Sequence, residues 1–305
     1  MIKIDIQNIK SITTGLLLEN EPMINHTTFG VGGLADCYFM PSDIIELKEV
    51  LKYTYANNIR TFFIGSGSNV LVSDNGYDGI IISLKKTFKN LEILDNGTIT
   101  SDSGVMLGSM VKKATKKGIE GMESLIGVPG TVGGALYMNA GAYKHEISNY
   151  FHSALLLDKT GIEKIYKKKD VKFDYRNSSF PEDEILIKAI FQYKKGDIET
   201  ISKNKKEASN KRKMSQPLKY RSAGSIFKNP NKKFPAGYLI DQSGLKGFRI
   251  GDAEISTKHA NFIINRGKAK SKDIIKLINI AKNEVFKKFK IELKLEIKLL
   301  GFEYD

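Results

Sequence analysis

The 305-residue sequence predicts an α+β protein of two or three packed lobes. Three observations carry that expectation. Short apolar runs of strand length alternate with segments of helical apolar spacing. The chain is longer than the size at which a single core usually stops growing, and at 41% hydrophobic residues it has enough apolar side chains for a sizeable core. Glycine is concentrated in two turns, Gly65-Ser66-Gly67-Ser68-Asn69 and Gly127 to Ala135.

Taken in order, Ser42-Asp43 supplies a cap, and Ile44, Leu47, Val50, Leu51 and Tyr55 fall on one helical stripe. Strand Thr61 to Ile64 follows, then the first glycine-rich turn, strand Val70 to Val72, the Asp74-Asn75-Gly76 turn and strand Ile80 to Leu84. These place a first lobe at 1–84. A second lobe, 85–196, has short strands near Leu91 to Thr100 and a helix from about Val105 to Lys117. It continues through the second glycine-rich turn, a hairpin pairing Ala154–Leu157 with Ile162–Tyr166, and strand Ile185 to Tyr193, with Lys194-Lys195-Gly196 as boundary. A third lobe, 197–305, opens with a Lys-rich helix to about Met214 and has strands near Ala253 and Phe262 to Asn265. A long helix, Ser271 to Phe289, then leads to an alternating strand, Ile291 to Leu300. In that strand Leu293, Leu295, Ile297 and Leu299 share one face, and Lys294, Glu296 and Lys298 the other.

The net charge of +14 is spread over nearly every predicted element, with no basic block interleaved with aromatics. It reads as solvated surface with a bias toward anionic ligands, not as a nucleic-acid footprint. The lone Cys37 excludes an intramolecular disulfide and fits a reducing compartment. The start, Met1-Ile2-Lys3-Ile4-Asp5, has no apolar signal core, and no apolar run reaches membrane-spanning length. A cytoplasmic protein with no membrane partner, no obligate protein partner and no metal is expected, since the four histidines show no ligand spacing.

The first glycine-rich turn lacks both familiar phosphate signatures. Val70 stands where a third glycine would open a helix, and no Gly-Lys-Ser/Thr follows. Gly65 to Asn69 is either a plain turn or a nest whose backbone N–H groups, with Ser66 and Ser68, bind an anion. Gly127, Pro129, Gly130, Gly133 and Gly134 force a close backbone approach, to another lobe or to a ligand. Two such segments together fit a pair of walls closing on a diphosphate and a flat ring.

The ordered series of motifs resembles one family. It comprises His26-Thr27-Thr28-Phe29, Gly32 to Asp36, Gly65 to Asp74, Ile126 to Gly141, Phe173 to Phe180, Gln216-Pro217-Leu218 and Ser222 to Pro230. Ala236 to Asp241, Gly244 to Gly247, Lys258 to Asn265 and Leu295 to Gly301 complete it. On these residues the chain is similar, from end to end, to the UDP-N-acetylenolpyruvoylglucosamine reductases. The resemblance implies two FAD-binding subdomains of the vanillyl-alcohol-oxidase type, 1–84 and 85–196, followed by an α+β substrate-binding domain, 197–305. It implies noncovalent FAD, NADPH as hydride donor and UDP-N-acetylglucosamine enolpyruvate as substrate. The first turn and the five residues of the second glycine-rich segment would hold the cofactor.

Within the resemblance, Arg176 pairs with the substrate carboxylate, Ser225 protonates C2 and Glu296 shapes the enol system. Arg212, Gln216, Asn229 and His259 line the substrate or its diphosphate, and Tyr175 lies beside the reacting group. Without it, Arg176 is a surface charge, Ser225 a turn hydroxyl and Glu296 a solvent-facing strand residue. Two positions depart from the family's pattern: Lys298 stands where Arg is common, and Arg221, in place of Pro, is expected to loosen the Ser222-Ala223-Gly224-Ser225 turn. The alternative within the same fold is an FAD-dependent oxidoreductase of a small alcohol or sugar acid. It gives no reason for Arg176, Ser225 and Glu296 to occur together.

Overall fold

The Asp43 carboxylate accepts the Glu46 N–H at 2.9 Å, so the first long helix begins where the sequence predicts and runs Ile44–Ala56. Its stripe of Leu47, Val50 and Leu51 is buried against a four-stranded sheet ordered Leu16–Pro22, Leu34–Met40, Tyr77–Ser83, Thr61–Ile64. The last two strands are parallel, with Thr61 opposite Ile80. The computed structural model describes residues 6–143, 145–231 and 233–302.

A second core lies on a five-stranded antiparallel sheet ordered Glu163–Lys167, Phe151–Leu157, Ile185–Gln192, Thr98–Asp102, Leu91–Ile93. The helix Leu107–Lys116 buries Leu107, Met110, Val111 and Ala114 in it. Phe151, Phe173, Phe180 and Phe191 meet edge to face beneath the sheet. A third core surrounds the helix Ser271–Phe289, whose Ile274, Leu277, Ile278, Ala281 and Val285 are buried with Leu239, Ile240, Ala253 and Ile255. Truncating a side chain such as Leu277 there would cost about 2–5 kcal/mol.

These cores fall into two units. The chain up to Asn20, with Asp36–Ser66 and Gly79–Lys211, forms the first; Glu21–Ala35, Gly67–Asp78 and the chain from Arg212 form the second. The segments 21–35 and 67–78, which sequence position alone assigns to the first lobe, thus cluster with the C-terminal chain. Asp74 shows why. Its carboxylate accepts the N–H groups of Ser271 (2.9 Å) and Lys272 (3.1 Å), and its own N–H donates to Ser271 Oγ at 2.7 Å. An acid distant in sequence caps the long helix at its electropositive end.

The terminal strand is shorter than its alternation predicts. Only Lys298–Leu300 is ladder, parallel to Val70–Val72. Before it, Lys294 O accepts the Lys228 N–H and Glu296 N–H donates to Ile226 O, so this stretch is braced by a loop and not by a strand. The apolar face is as read, with Leu293 and Ile297 buried. Strands Leu16–Pro22 and Leu34–Met40 and helices Val132–Tyr137 and Ala236–Gln242 are not in the sequence reading; elements this short show little period. Among the described residues no helix is long and apolar enough to cross a membrane, and no cluster of acid, His or Cys side chains is arranged to hold a metal.

Glu46 ties the chain entering the first sheet to this helix. Its buried carboxylate accepts the Gly15 N–H at 2.6 Å and the Ser42 hydroxyl at 2.8 Å, together with the N–H groups of Thr14 and Ser42. Burial pushes its pKa up, but these donors outweigh burial and hold the carboxyl below the ordinary glutamate range. With the folded value depressed, the stabilisation is complete above the unfolded-state range and is lost as pH falls through the folded value. Glu46→Gln should lower stability at neutral pH by about 1–3 kcal/mol. In urea titrations the gap to wild type should close at acid pH; a gap independent of pH would refute the role of the charge.

Candidate active site

Strand Thr61–Ile64 delivers the chain to Gly65, and the turn leaves into strand Val70–Val72 with no helix between, as the sequence predicts. A Cβ on Gly65 would lie 2.5 Å from Thr131 Oγ1, so the two glycine-rich segments touch at this point in the first unit. Gly67 has φ +65°, and a Cβ there would lie 2.0 Å from the His26 carbonyl oxygen. Its own carbonyl accepts the Thr28 N–H at 3.0 Å, which explains why the His26 to Phe29 motif accompanies the turn. Ser66, Ser68 and Asn69 are half-buried around it.

In the second segment Gly127 and Pro129 are exposed and Gly130 is buried. The N-cap hydroxyl of Thr131 accepts the Gly134 N–H at 3.4 Å, so a short helix begins inside the glycine run. The Gly133 N–H donates to Ser103 O at 3.0 Å, and the Ser103 hydroxyl beside it is buried without a hydrogen-bond partner. Gly134 faces open space, its only neighbour being Thr131 Oγ1, 3.6 Å from a Cβ position. Bare backbone, an open glycine face and an unpaired hydroxyl fit a flat polar group such as FAD.

Also in the first unit, Tyr175 and Arg176 form the two-residue turn of a hairpin between Phe173–Asp174 and Asn177–Ser178. Arg176 Nη2 donates to the Gly141 carbonyl at 2.8 Å, and its guanidinium lies 5.0 Å from the centroid of the Tyr175 ring. Asn139 anchors the hairpin, its Nδ2 donating to Asp174 O (3.0 Å) and Glu146 Oε2 (2.8 Å). Arg176 is therefore a held cation and not a loose surface charge.

The second unit brings three sequence-selected residues together. Asn69 Nδ2 donates to Glu296 O at 3.0 Å, and Asn69 O accepts the Lys298 N–H at 2.9 Å. Glu296 N–H donates to Ile226 O at 2.8 Å, the residue after Ser225. Glu296 and Ser225 are both half-buried, and Gly224 before the serine has nothing within 4 Å of its Cβ position. His259 Nδ1 accepts the Asn261 N–H at 3.3 Å, and its ring meets Phe262 edge to face at 4.8 Å. Burial pushes its imidazole below the ordinary value, and the Lys246 charge acts the same way.

The end of the helix Ile198–Ser215 supplies Arg212, whose carbonyl accepts the Gln216 N–H at 3.0 Å. Gln216 Oε1 is buried without a partner, an acceptor in want of a donor. Asn229 has a structural duty as well, its Oδ1 accepting the Ala236 N–H at 3.0 Å at the start of the helix Ala236–Gln242. Arg221 overturns the expectation of a looser turn. Its Nη2 donates to the carbonyls of Thr27 (3.0 Å) and Ile24 (3.3 Å), and its guanidinium fills the space beside Gly30. A side chain that crosslinks two loops restrains what a proline would have restrained through φ.

Fold and glycine cradle define a flavin-dependent oxidoreductase, and residues 35–165 match the family model of an FAD binding domain. Residues 216–300 match the C-terminal domain of UDP-N-acetylenolpyruvoylglucosamine reductase. The enzyme of that name from Clostridium tetani is 44% identical over 283 residues, covering 92% of this chain and 91% of the relative. That of Halalkalibacterium halodurans is 37% identical over 97% of this chain and 98% of its own. The crystal structure of the Thermus caldophilus reductase superposes with TM-score 0.80 at 32% identity, covering 94% of this chain and 99% of that one. The chain belongs to the UDP-N-acetylenolpyruvoylglucosamine reductase family. FAD is its cofactor, and the α+β FAD-binding fold followed by a C-terminal domain is the architecture the sequence predicts.

Cys37 is fully buried and its thiol is pushed up to about 11, by burial first and then by Glu19 and Asp36, so it offers no thiolate for flavin attachment. Acid or heat denaturation of the yellow protein should therefore release all of the flavin into the supernatant. Flavin absorbance remaining with the precipitated chain would contradict noncovalent binding.

Proposed function

We propose that the chain reduces the enolpyruvyl group of UDP-N-acetylglucosamine enolpyruvate to the lactyl ether of UDP-N-acetylmuramate, with NADPH as reductant. The place of the reaction in peptidoglycan precursor synthesis follows from the family. Gly65 to Asn69 and the Gly127 to Gly134 segment would hold FAD, which when bound would supply the hydride chemistry that links NADPH to C3 of the enolpyruvyl group. Arg176 pairs its planar fork with the substrate carboxylate, against which negative charge develops. Ser225 donates a proton to C2, and Glu296 polarises the enol system on the same charge. Arg212, Gln216, Asn229 and His259 line the sugar nucleotide and its diphosphate, with His259 neutral, and Tyr175 stands beside the reacting carbon. The regions 1–84 and 85–196 serve FAD, and 197–305 serves the substrate.

The observation that carries this reading is the hydrogen-bonded run from Asn69 through Glu296 to Ile226, which sets the first glycine-rich turn, an acid and the Ser225 loop on adjoining backbone. A plain solvent-facing strand gives no reason for that convergence.

Ser225→Ala should leave flavin reduction by NADPH nearly intact and slow reoxidation by the enolpyruvyl substrate about 10²–10⁴-fold. Stopped-flow absorbance separates the two half-reactions, and equal slowing of both removes Ser225 from the acid role. Arg176→Lys keeps the charge without the fork, and Glu296→Gln keeps the shape without the ionisable group. Each should depress the second half-reaction with flavin content unchanged, and the double variant should be far less impaired than the product of the two effects, as for residues acting as a unit. Strict multiplicativity, or wild-type turnover by Glu296→Gln, would return Glu296 to solvent.

A further inference from the structure

The segment after Ser225 is held by an asparagine that the assigned roles leave unused. Asn261 is buried, 3% exposed, and its side chain meets both polar groups of one residue. Oδ1 accepts the Phe227 N–H at 3.0 Å and Nδ2 donates to Phe227 O at 2.8 Å. Its main-chain carbonyl accepts the Ile226 N–H at 2.8 Å. With Glu296 N–H on Ile226 O, every backbone polar group of Ile226 and Phe227 is satisfied, and three of the four partners come from Asn261.

The other side of Ser225 is different. Gly224 has φ +78° and nothing within 4 Å of its Cβ position, so it places no side chain against a neighbour. Ser225 thus borders directly, on its C-terminal side, on two residues buried to 1% and 2% exposure, Phe227 pinned by the Asn261 side-chain amide and Ile226 by the Asn261 carbonyl and the Glu296 N–H. On the other side Gly224 separates it from the buried Ala223 and from Ser222, whose carbonyl accepts the Thr28 hydroxyl at 2.8 Å. A carboxamide is the side chain that presents an acceptor and a donor together, matching the N–H and C=O of a single residue.

We infer that Asn261 is a positioning residue for Ser225, fixing through Ile226 and Phe227 where the serine hydroxyl stands when it delivers its proton. The inference rests on the reading of Ser225 as proton donor. Displacing a reacting group by about 1 Å costs on the order of 10²-fold in rate. Loss of the clamp should therefore be felt in the half-reaction that consumes the proton and not in the one that does not.

The test uses the FAD-loaded enzyme. Asn261→Leu removes both side-chain hydrogen bonds at similar volume, and Asn261→Asp, which keeps an acceptor for the Phe227 N–H, serves where the leucine variant does not fold. Flavin reduction by NADPH should stay within about twofold of wild type, and reoxidation by the enolpyruvyl substrate should slow roughly 10- to 100-fold. Hydrogen exchange measured by mass spectrometry should quicken at the amides of residues 226–227. In a Ser225→Ala background, replacing Asn261 should slow reoxidation no further. Equal slowing of both half-reactions, or slowing that persists in that background, overturns the inference and leaves Asn261 a purely structural residue. Faster exchange with an unchanged reoxidation rate overturns it as well. If Ser225→Ala itself leaves reoxidation unchanged, the reading of Ser225 falls and the inference falls with it; if Ser225→Ala is slow and Asn261→Leu is not, only the inference falls.

Discussion

The parallel pairing of Lys298–Leu300 with Val70–Val72 is the constraint on which the second unit's candidate site residues depend. It joins the strand leaving the first glycine-rich turn to the described C-terminal end of the chain. Val70, Leu71, Val72 and Leu300 are buried along it. Asn69 extends the pairing at one end, its carbonyl accepting from Lys298 and its side-chain amide donating to Glu296 O, and Ser73 continues it at the other with its N–H on Leu300 O. Each such bond contributes only about 0.5–1.5 kcal/mol net, but leaving one of these buried groups unpaired costs about 1–3 kcal/mol. A register slip by one residue would turn Glu296 over and bury a charge where Ile297 now lies.

From this pairing the remaining geometry follows outward. The segment before the strand braces the Ser225 loop, and Asp74 at the other end of Val70–Val72 caps the helix Ser271–Phe289, whose apolar stripe fills the third core. Glycine and asparagine divide the work. Glycine is placed where a neighbour must come close, at Gly65 and Gly67, or where the face is open, at Gly134 and Gly224. Asparagine is placed where loops must be held without a strand, since Asn69, Asn139, Asn261 and Asn265 each spend a side-chain amide on backbone carbonyls.

Much of this was legible in the sequence, and the physical reason differs by element. The helices Ile44–Ala56 and Ser271–Phe289 are long enough for their apolar period to show, and Asp43 marks the start of the first through a local hydrogen bond. The cap on the second is not local, because Asp74 reaches Ser271 across almost two hundred residues, and no spacing rule reports that. Arg176, Ser225 and Glu296 are singled out as candidates only by the order of motifs; by pattern alone they are a surface charge, a turn hydroxyl and a polar strand residue. Nothing in the sequence distinguishes Asn261 within the Lys258 to Asn265 motif, because its side chain bonds only to backbone, which leaves no mark on composition or periodicity. The restraint supplied by Arg221 is invisible in the sequence, because a long side chain's reach to another loop is a tertiary fact.

Arg176 shows how a strained backbone position and the contacts of its own side chain are reconciled. The tight turn puts it at φ +55°, where a residue with a Cβ carries a penalty of roughly 1–2 kcal/mol that glycine would avoid. The guanidinium donating to the Gly141 carbonyl returns about 1.5–3 kcal/mol, as a hydrogen bond to a charged group. Its stacking on the half-exposed Tyr175 ring adds about 0.5–1 kcal/mol. The sum is near zero or modestly favourable, so the turn keeps its cation at little cost to folding. Glycine would relieve the strain and remove the fork, whereas a lysine would keep the charge and lose the planar geometry on which both contacts rest. Strain offset by contacts of the same side chain is what the proposed role of Arg176 as a preorganised binding group requires. In the role proposed for it, the guanidinium is oriented before substrate arrives, and the entropy of ordering it has already been met in folding.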